Sequence, residues 1–396
     1  MAIQGEIEWD YLAKEILSLT ISRMRDIFFS DTRYILMHRF GDHNRLRRSP
    51  VRAVKELQIG NSWAQGRGES PPPGCTGRPN MGAIASVRKS NTAIQLREPT
   101  DFGERNFQSA LVIFTNACNL ECSHCFVFRD DNPNEPRDKM DDANMLHQLR
   151  QLRDKHDIKY MLFMGGEPMI RKDLLVEAMK IFEHCSIATN GTYGIPSVPG
   201  HLVSVSLDGP EGPNDAIRGE GVFRKVEKAI RERDMGDGTS VMLQMVLTRQ
   251  NEAHLEDFVE EVKDWPVTGL AFNFYVPTRD DDSPLVWRDL KERDLVVERL
   301  IALKRRYPSF IKSNIGSLEL MMSDVCKEYI GEDGEKCLLR NVLPLYMGDE
   351  GSFERTFCCY GNDVDCERCG AYGIFNQAFH LAQGNEGHLL ITGASV

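Results

Sequence analysis

The stretch ALVIFTNACNLECSHCFVF, residues 110–128, decides the fold. It opens on a run of apolar and β-branched residues and then sets Cys118, Cys122 and Cys125 within eight positions. A short apolar run that ends in turn-forming residues reads as a buried strand, expected over 111–116. Working outward, similar β-rich runs follow at 159–164, 186–189, 202–207, 240–248 and 270–276. Between most of them lie helix-length amphipathic segments such as DANMLHQLRQLRDKH, DLLVEAMKIFEH, GVFRKVEKAIRERD and EAHLEDFVEEVKDW. Strands alternating with helices make βαβ units, hence an α/β fold whose parallel sheet is covered by helices. Six such units suit a partial (β/α)6 barrel better than a complete eight-stranded one. Barrels of this kind carry their chemistry at the carboxyl ends of the strands. The cysteines follow the first strand and the segment MLFMGGEP (161–168) runs through the second, so both belong on one rim.

The rest of the chain brackets this core. From Glu8 to Phe29 apolar residues recur at helical spacing, a basic stretch runs from Arg33 to Lys55, and residues 60–82 are dense in Gly, Pro and Ser. Residues 1–105 are expected to be a partly helical amino-terminal extension, 106–310 the partial barrel, and 311–396 a small cysteine-rich domain. A further helix is expected around 287–306. The net charge of −11 argues against a nucleic-acid partner, which usually demands a basic face. No run of 18 or more apolar residues marks a membrane span, and the acidic start MAIQGEIEWD lacks a signal pattern, so a cytoplasmic location is expected.

Eleven cysteines, an odd number clustered at short spacings, make a poor disulfide framework and point to metal. Three thiolates on one tight loop, with no fourth nearby, leave a four-iron cube with one open iron. CNLECSHC resembles the CxxxCxxC signature of the radical S-adenosylmethionine (radical SAM) enzymes, and the resemblance extends over residues 115–277. GGEP (Gly165, Gly166, Glu167, Pro168) matches the family segment that holds the amino group of the methionine moiety. TNGT, with Thr189 and Asn190, ends the third strand, SVSLDGP, with Ser206 and Asp208, ends the fourth, and NDAIRGEGVF carries Arg218. MVLTRQN, with Val246, resembles the fifth-strand segment. Ser206 and Arg218 match positions that contact the ribose or carboxylate of the cosubstrate. His124 fills a slot near the adenine that is usually aromatic, a departure from the family pattern.

The resemblance implies a radical SAM partial barrel, a [4Fe-4S] cluster on Cys118, Cys122 and Cys125, and S-adenosylmethionine as cosubstrate. An electron donor such as flavodoxin or ferredoxin is implied as partner. In the carboxy-terminal part, Cys337, Cys358, Cys359, Cys366 and Cys369 resemble, without matching cleanly, the SPASM and twitch extensions that bind auxiliary clusters. The favoured ligands are Cys337, Cys366 and Cys369 with one of Cys358 and Cys359, and the segment before them carries a hairpin signal. A zinc ribbon is the competing reading of the same cysteines, and Cys326 is a spare or alternate ligand. Cys75 and Cys185 read as ordinary thiols.

The expected activity is hydrogen abstraction from a polar small molecule, such as a sugar, nucleoside or amino-acid derivative, in a biosynthetic oxidation or rearrangement. Sulfur insertion and peptide maturation are the competing enzymatic readings, and a degenerate, non-catalytic binding module is the other class. Gln244, Asn273 and Tyr275, polar residues on apolar strands, are expected to touch substrate if they face the barrel interior.

Overall fold

A computed structural model describes residues 106–128, 140–347, 351–355 and 364–384, all within one unit spanning Ser86–Val396. The expected amino-terminal helix, basic stretch and Gly/Pro-rich loop lie outside the described residues, as do Cys75, Cys358 and Cys359.

Each β-rich run becomes a strand: β1 (Ser109–Ile113), β2 (Tyr160–Met164), β3 (His184–Thr189), β4 (Leu202–Ser206), β5 (Ser240–Leu247) and β6 (Leu270–Phe274). Between and after them run α1 (Asp142–His156), α2 (Lys172–Met179), α3 (Glu211–Arg218), α4 (Val222–Arg231), α5 (Leu255–Val262) and α6 (Leu290–Arg306). Local chemistry sets their ends. The Asp141 carboxylate caps α1 by accepting the Asn144 N–H at 2.8 Å, and Asp157 stops the helix in a left-handed conformation.

The six strands pair in parallel in sequence order. The sheet then continues past β1 through β7 (Leu343–Met347), parallel to it, and β8 (Phe353–Arg355), antiparallel to β7. The hairpin signal before the late cysteines is therefore a true hairpin, and it is built into the main sheet. The carboxy-terminal segment adds the short helices α7 (Ile315–Glu319) and α8 (Lys327–Ile330) and the longer α9 (Tyr372–Ala382).

β1 ends earlier than the sequence predicts. After the Phe114 N–H bonds Met164 O at 2.7 Å, the chain leaves the ladder, and Thr115 O and Ala117 O instead accept the N–H groups of Gly166 and Glu167, each at 2.8 Å. The first cysteine loop is thereby stitched to the glycine segment after β2.

The two faces of the sheet differ in chemistry. On the helix-covered face Val112, Phe163, Ile187, Val205, Leu243 and Phe272 are fully buried. Burial of each such side chain contributes about 1.5–3 kcal/mol. The opposite face carries Leu111, Leu162, Ala188, Ser206, Gln244 and Asn273, one from each strand, and all six line a single cavity. A sheet whose six strands face one cavity is curved into a partial barrel. The polar side chains on that inner face mark where ligands belong. No helix among the described residues is long and apolar enough to cross a membrane.

Candidate active site

The cavity holds about 350 Å3 and opens at the carboxyl ends of the strands. Cys118, Cys122 and Cys125 all line it, together with His124, Gly165, Gly166, Thr189, Asn190, Ser206, Arg218 and Val246. Residues from six separate motifs thus meet at one place.

Two glycines let the loop and the second strand approach. A Cβ at Gly166 would stand 2.2 Å from Ala117 O, and one at Gly165, where φ is +143°, would stand 2.5 Å from Thr115 O. Only glycine allows that backbone approach. Ser123 N–H bonds Ile217 O at 3.0 Å, anchoring the loop to α3 on its other side. Asn190 Nδ2 donates to Asn119 Oδ1 at 3.0 Å and lies 4.0 Å from Cys118 Sγ. Burial pushes the Cys122 thiol up to about 11 and raises that of Cys118 as well. Both thiols keep their protons at neutral pH until a metal displaces them.

Glu167 occupies a different place from the one its motif implies. Its side chain is fully buried beneath the cavity wall. One carboxylate oxygen accepts the Thr189 hydroxyl at 2.7 Å and the Met169 N–H at 3.0 Å, and the other accepts the Asn190 N–H at 2.7 Å. The carboxylate ties the end of β2 to the end of β3, leaving the Gly165–Gly166 backbone at the cavity surface. Pro168 is buried at the start of the following turn and also lies off the wall.

Asp208 is a second buried hub. Its Oδ2 lies 2.7 Å from His124 Nε2 and 2.6 Å from Arg218 Nε, and its Oδ1 accepts the Val246 N–H at 2.9 Å. Burial alone would raise its pKa, but the Arg218 guanidinium and His124 hold the carboxyl far below the usual range. One carboxylate so orients three cavity-lining residues, from the cysteine loop, from α3 and from β5. His124 Nδ1 is buried and has no hydrogen-bond partner among the described residues. A ring nitrogen so placed offers a hydrogen bond to a ligand in the cavity.

The expected inward residues of the late strands reach the same cavity. Gln244 is held by the Ser204 hydroxyl, which donates to its Oε1 at 2.8 Å, and Tyr275 donates its hydroxyl to Asp281 at 2.8 Å. Sequence reasoning missed the apolar lining, where Phe126, Phe128, Phe274, Val276, Leu339, Val342 and Pro344 make the chamber largely apolar.

Cys337, Cys366 and Cys369 come together in a second pocket, whose wall shares Leu339 and Pro344 with the first. Gly334, at φ +73°, lets the chain close on them, since a Cβ there would stand 3.0 Å from Cys366 Sγ. Cys369 is followed by Gly370, whose carbonyl accepts the Phe274 N–H at 3.2 Å and docks the loop on β6. Cys326 is buried off this wall, and Cys185 packs in the core under the helices. Among the described residues no group of three or more His, Cys, Asp or Glu side chains is arranged to hold a single metal ion. Two all-sulfur trios, each glycine-hugged and half-buried or deeper, have the donor chemistry of iron–sulfur clusters.

Residues 112–262 match the family model of the radical SAM superfamily. The mycofactocin maturase MftC of Mycobacterium tuberculosis is 30% identical over 190 residues, covering 44% of this chain and 46% of that protein. The pre-heme d1 synthase of Dinoroseobacter shibae is 26% identical over 164 residues, covering 37% of this chain and 38% of that protein. The chain spans less than half the length of these relatives. Among solved structures, Streptococcus suis SuiB bound to S-adenosylmethionine aligns with a TM-score of 0.46 at 16% identity, covering 63% of each chain.

Proposed function

We propose, from the premise that this chain carries a radical SAM domain, that it cleaves S-adenosylmethionine reductively and abstracts hydrogen from a substrate carbon. A [4Fe-4S] cluster, when bound, would supply the electron for that cleavage. Cys118, Cys122 and Cys125 would hold that cluster. The Gly165–Gly166 backbone would receive the ammonium group, Arg218 and Ser206 the carboxylate or ribose, and His124 and Val246 the adenine. Asp208 positions the last group of residues, and Glu167 fixes the strand ends beneath the first. The observation that carries this reading is the convergence of the three cysteines and these side chains on one cavity. Its apolar lining would keep water and stray hydrogen donors from a radical.

On the substrate, Gln244 and Asn273 present two carboxamides to a polar group, which suits a small molecule such as a sugar, nucleoside or amino-acid derivative. The apolar remainder of the wall supports a second reading, an apolar side chain of a peptide, in keeping with similarity to a protein named as a maturase. Carbon-deuterated candidates of both kinds separate the readings. The true class transfers deuterium into 5′-deoxyadenosine, and transfer from neither class counts against hydrogen abstraction here.

The second cysteine trio is proposed to bind an auxiliary iron–sulfur cluster one layer of side chains from the chamber. An external electron donor such as flavodoxin or ferredoxin would reduce the first cluster. Sulfur donation to product is the competing role for the second, and single turnover with labelled sulfide would place label in the product if it holds.

A further inference from the structure

Behind the second pocket lies a buried positive charge that its thiols do not balance. Arg293, on α6, is only 1% exposed. Its guanidinium donates to Cys369 O at 2.9 Å and to Met321 O at 2.6 Å, and its Nε has no hydrogen-bond partner among the described residues. No carboxylate among them pairs with it, and the neighbouring Asp294 is taken by the backbone and hydroxyl of Ser323. Arg293 thus sits behind Cys369, while Arg340 and Arg355 line the second pocket itself, and Arg355 donates to the Arg340 carbonyl at 3.3 Å. The described wall of that pocket holds three cysteines, two arginines and no acidic residue.

A buried guanidinium satisfied only by carbonyls is costly. Its burial becomes favourable once an anion lies beside it. Neutral thiols do not serve, whereas thiolates bound to an iron–sulfur cluster carry net negative charge. We propose that Arg293, Arg340 and Arg355 are the counter-charges of an anionic cluster held by Cys337, Cys366 and Cys369, and that Arg293 sets its reduction potential. The proposal rests on the reading that this trio binds a second cluster.

A cluster's potential follows its net charge, its hydrogen bonds and its exposure to solvent. Reduction adds one electron, so fixed positive charge stabilises the reduced form more than the oxidised one and raises the potential. Arg293 acts most strongly because burial removes it from ionic screening. The two half-buried arginines add to it. The enclosure tunes the site towards accepting one electron.

The test uses the full chain, reconstituted anaerobically, in a Cys118→Ala background so that the remaining iron reports the second site. Midpoint potentials are read by paramagnetic resonance in a mediated redox titration. Arg293→Met is expected to lower the midpoint by about 59 mV or more, a tenfold shift in a one-electron equilibrium, with iron and sulfide content unchanged. Arg293→Lys, which keeps the charge, should restore most of the shift. An intact cluster with an unmoved potential in Arg293→Met overturns the proposal. Should Arg293→Met fail to fold, the Arg340→Met/Arg355→Met double variant decides: a lowered potential supports the enclosure and an unchanged one refutes it. If the Cys118→Ala background itself takes up no iron, the second-cluster reading fails first and the proposal falls with it.

Discussion

Asp208 shows how much one buried side chain can organise. It is fully buried, joins His124, Arg218 and the Val246 backbone, and none of its carboxylate is left for a ligand. Removing one partner of a buried pair typically costs about 3–5 kcal/mol, and Asp208→Asn should lower the melting temperature accordingly. The pH dependence has a definite sign. The folded pKa is depressed below the unfolded one, so the stabilisation is complete above the unfolded value and is lost only as pH falls towards the folded one. The gap between wild type and Asp208→Asn should therefore stay constant from mildly acidic to mildly alkaline pH and close only in strong acid. A gap that vanished near neutrality would contradict the ionised hub. Glu167 makes a sharper case, because its motif implies a direct ligand to the cosubstrate while the structure uses both oxygens internally. Glu167→Gln turns one acceptor into a donor facing an N–H, and an unsatisfied buried group costs about 1–3 kcal/mol. Calorimetry of the protein without cosubstrate should show that loss, whereas an unchanged melting temperature would return Glu167 to a purely ligand-binding role.

At the scale of elements, the βα alternation was legible because strand and helix periodicities are local, and all six strands stand within a few residues of their expected places. The three early cysteines were legible for the same reason. The pairing of β7 with β1 was not, because nothing in LPLYM says which distant strand it joins. The fate of Glu167 was hidden likewise, since its three donors come from the turn after it and from the end of β3. The apolar chamber wall escaped notice because Phe126, Val276 and Leu339 read singly as ordinary core residues. The close packing of the cysteine loop on the glycine segment gives a prediction at this scale. Gly166→Ala places a methyl group against Ala117 O and should abolish iron binding at the first site. Full iron content in that variant, measured with the second site disabled by Cys366→Ala, would show that the loop has more room than the packing allows.

For the whole molecule, one curved sheet serves two sulfur-lined pockets that share Leu339 and Pro344 as a dividing wall. The late cysteines are carried by segments that dock on β6 and continue the sheet at β7, so the second pocket is held in register with the chamber. The central claim is that three sulfurs on the first loop hold a cube whose open iron binds and cleaves S-adenosylmethionine. The most direct measurement is quantitation of 5′-deoxyadenosine from the anaerobically reconstituted protein under dithionite, beside Cys118→Ala. Wild type should form 5′-deoxyadenosine and methionine together, and the variant neither. Equal amounts from both proteins, or none from an iron-replete wild type, would contradict the account.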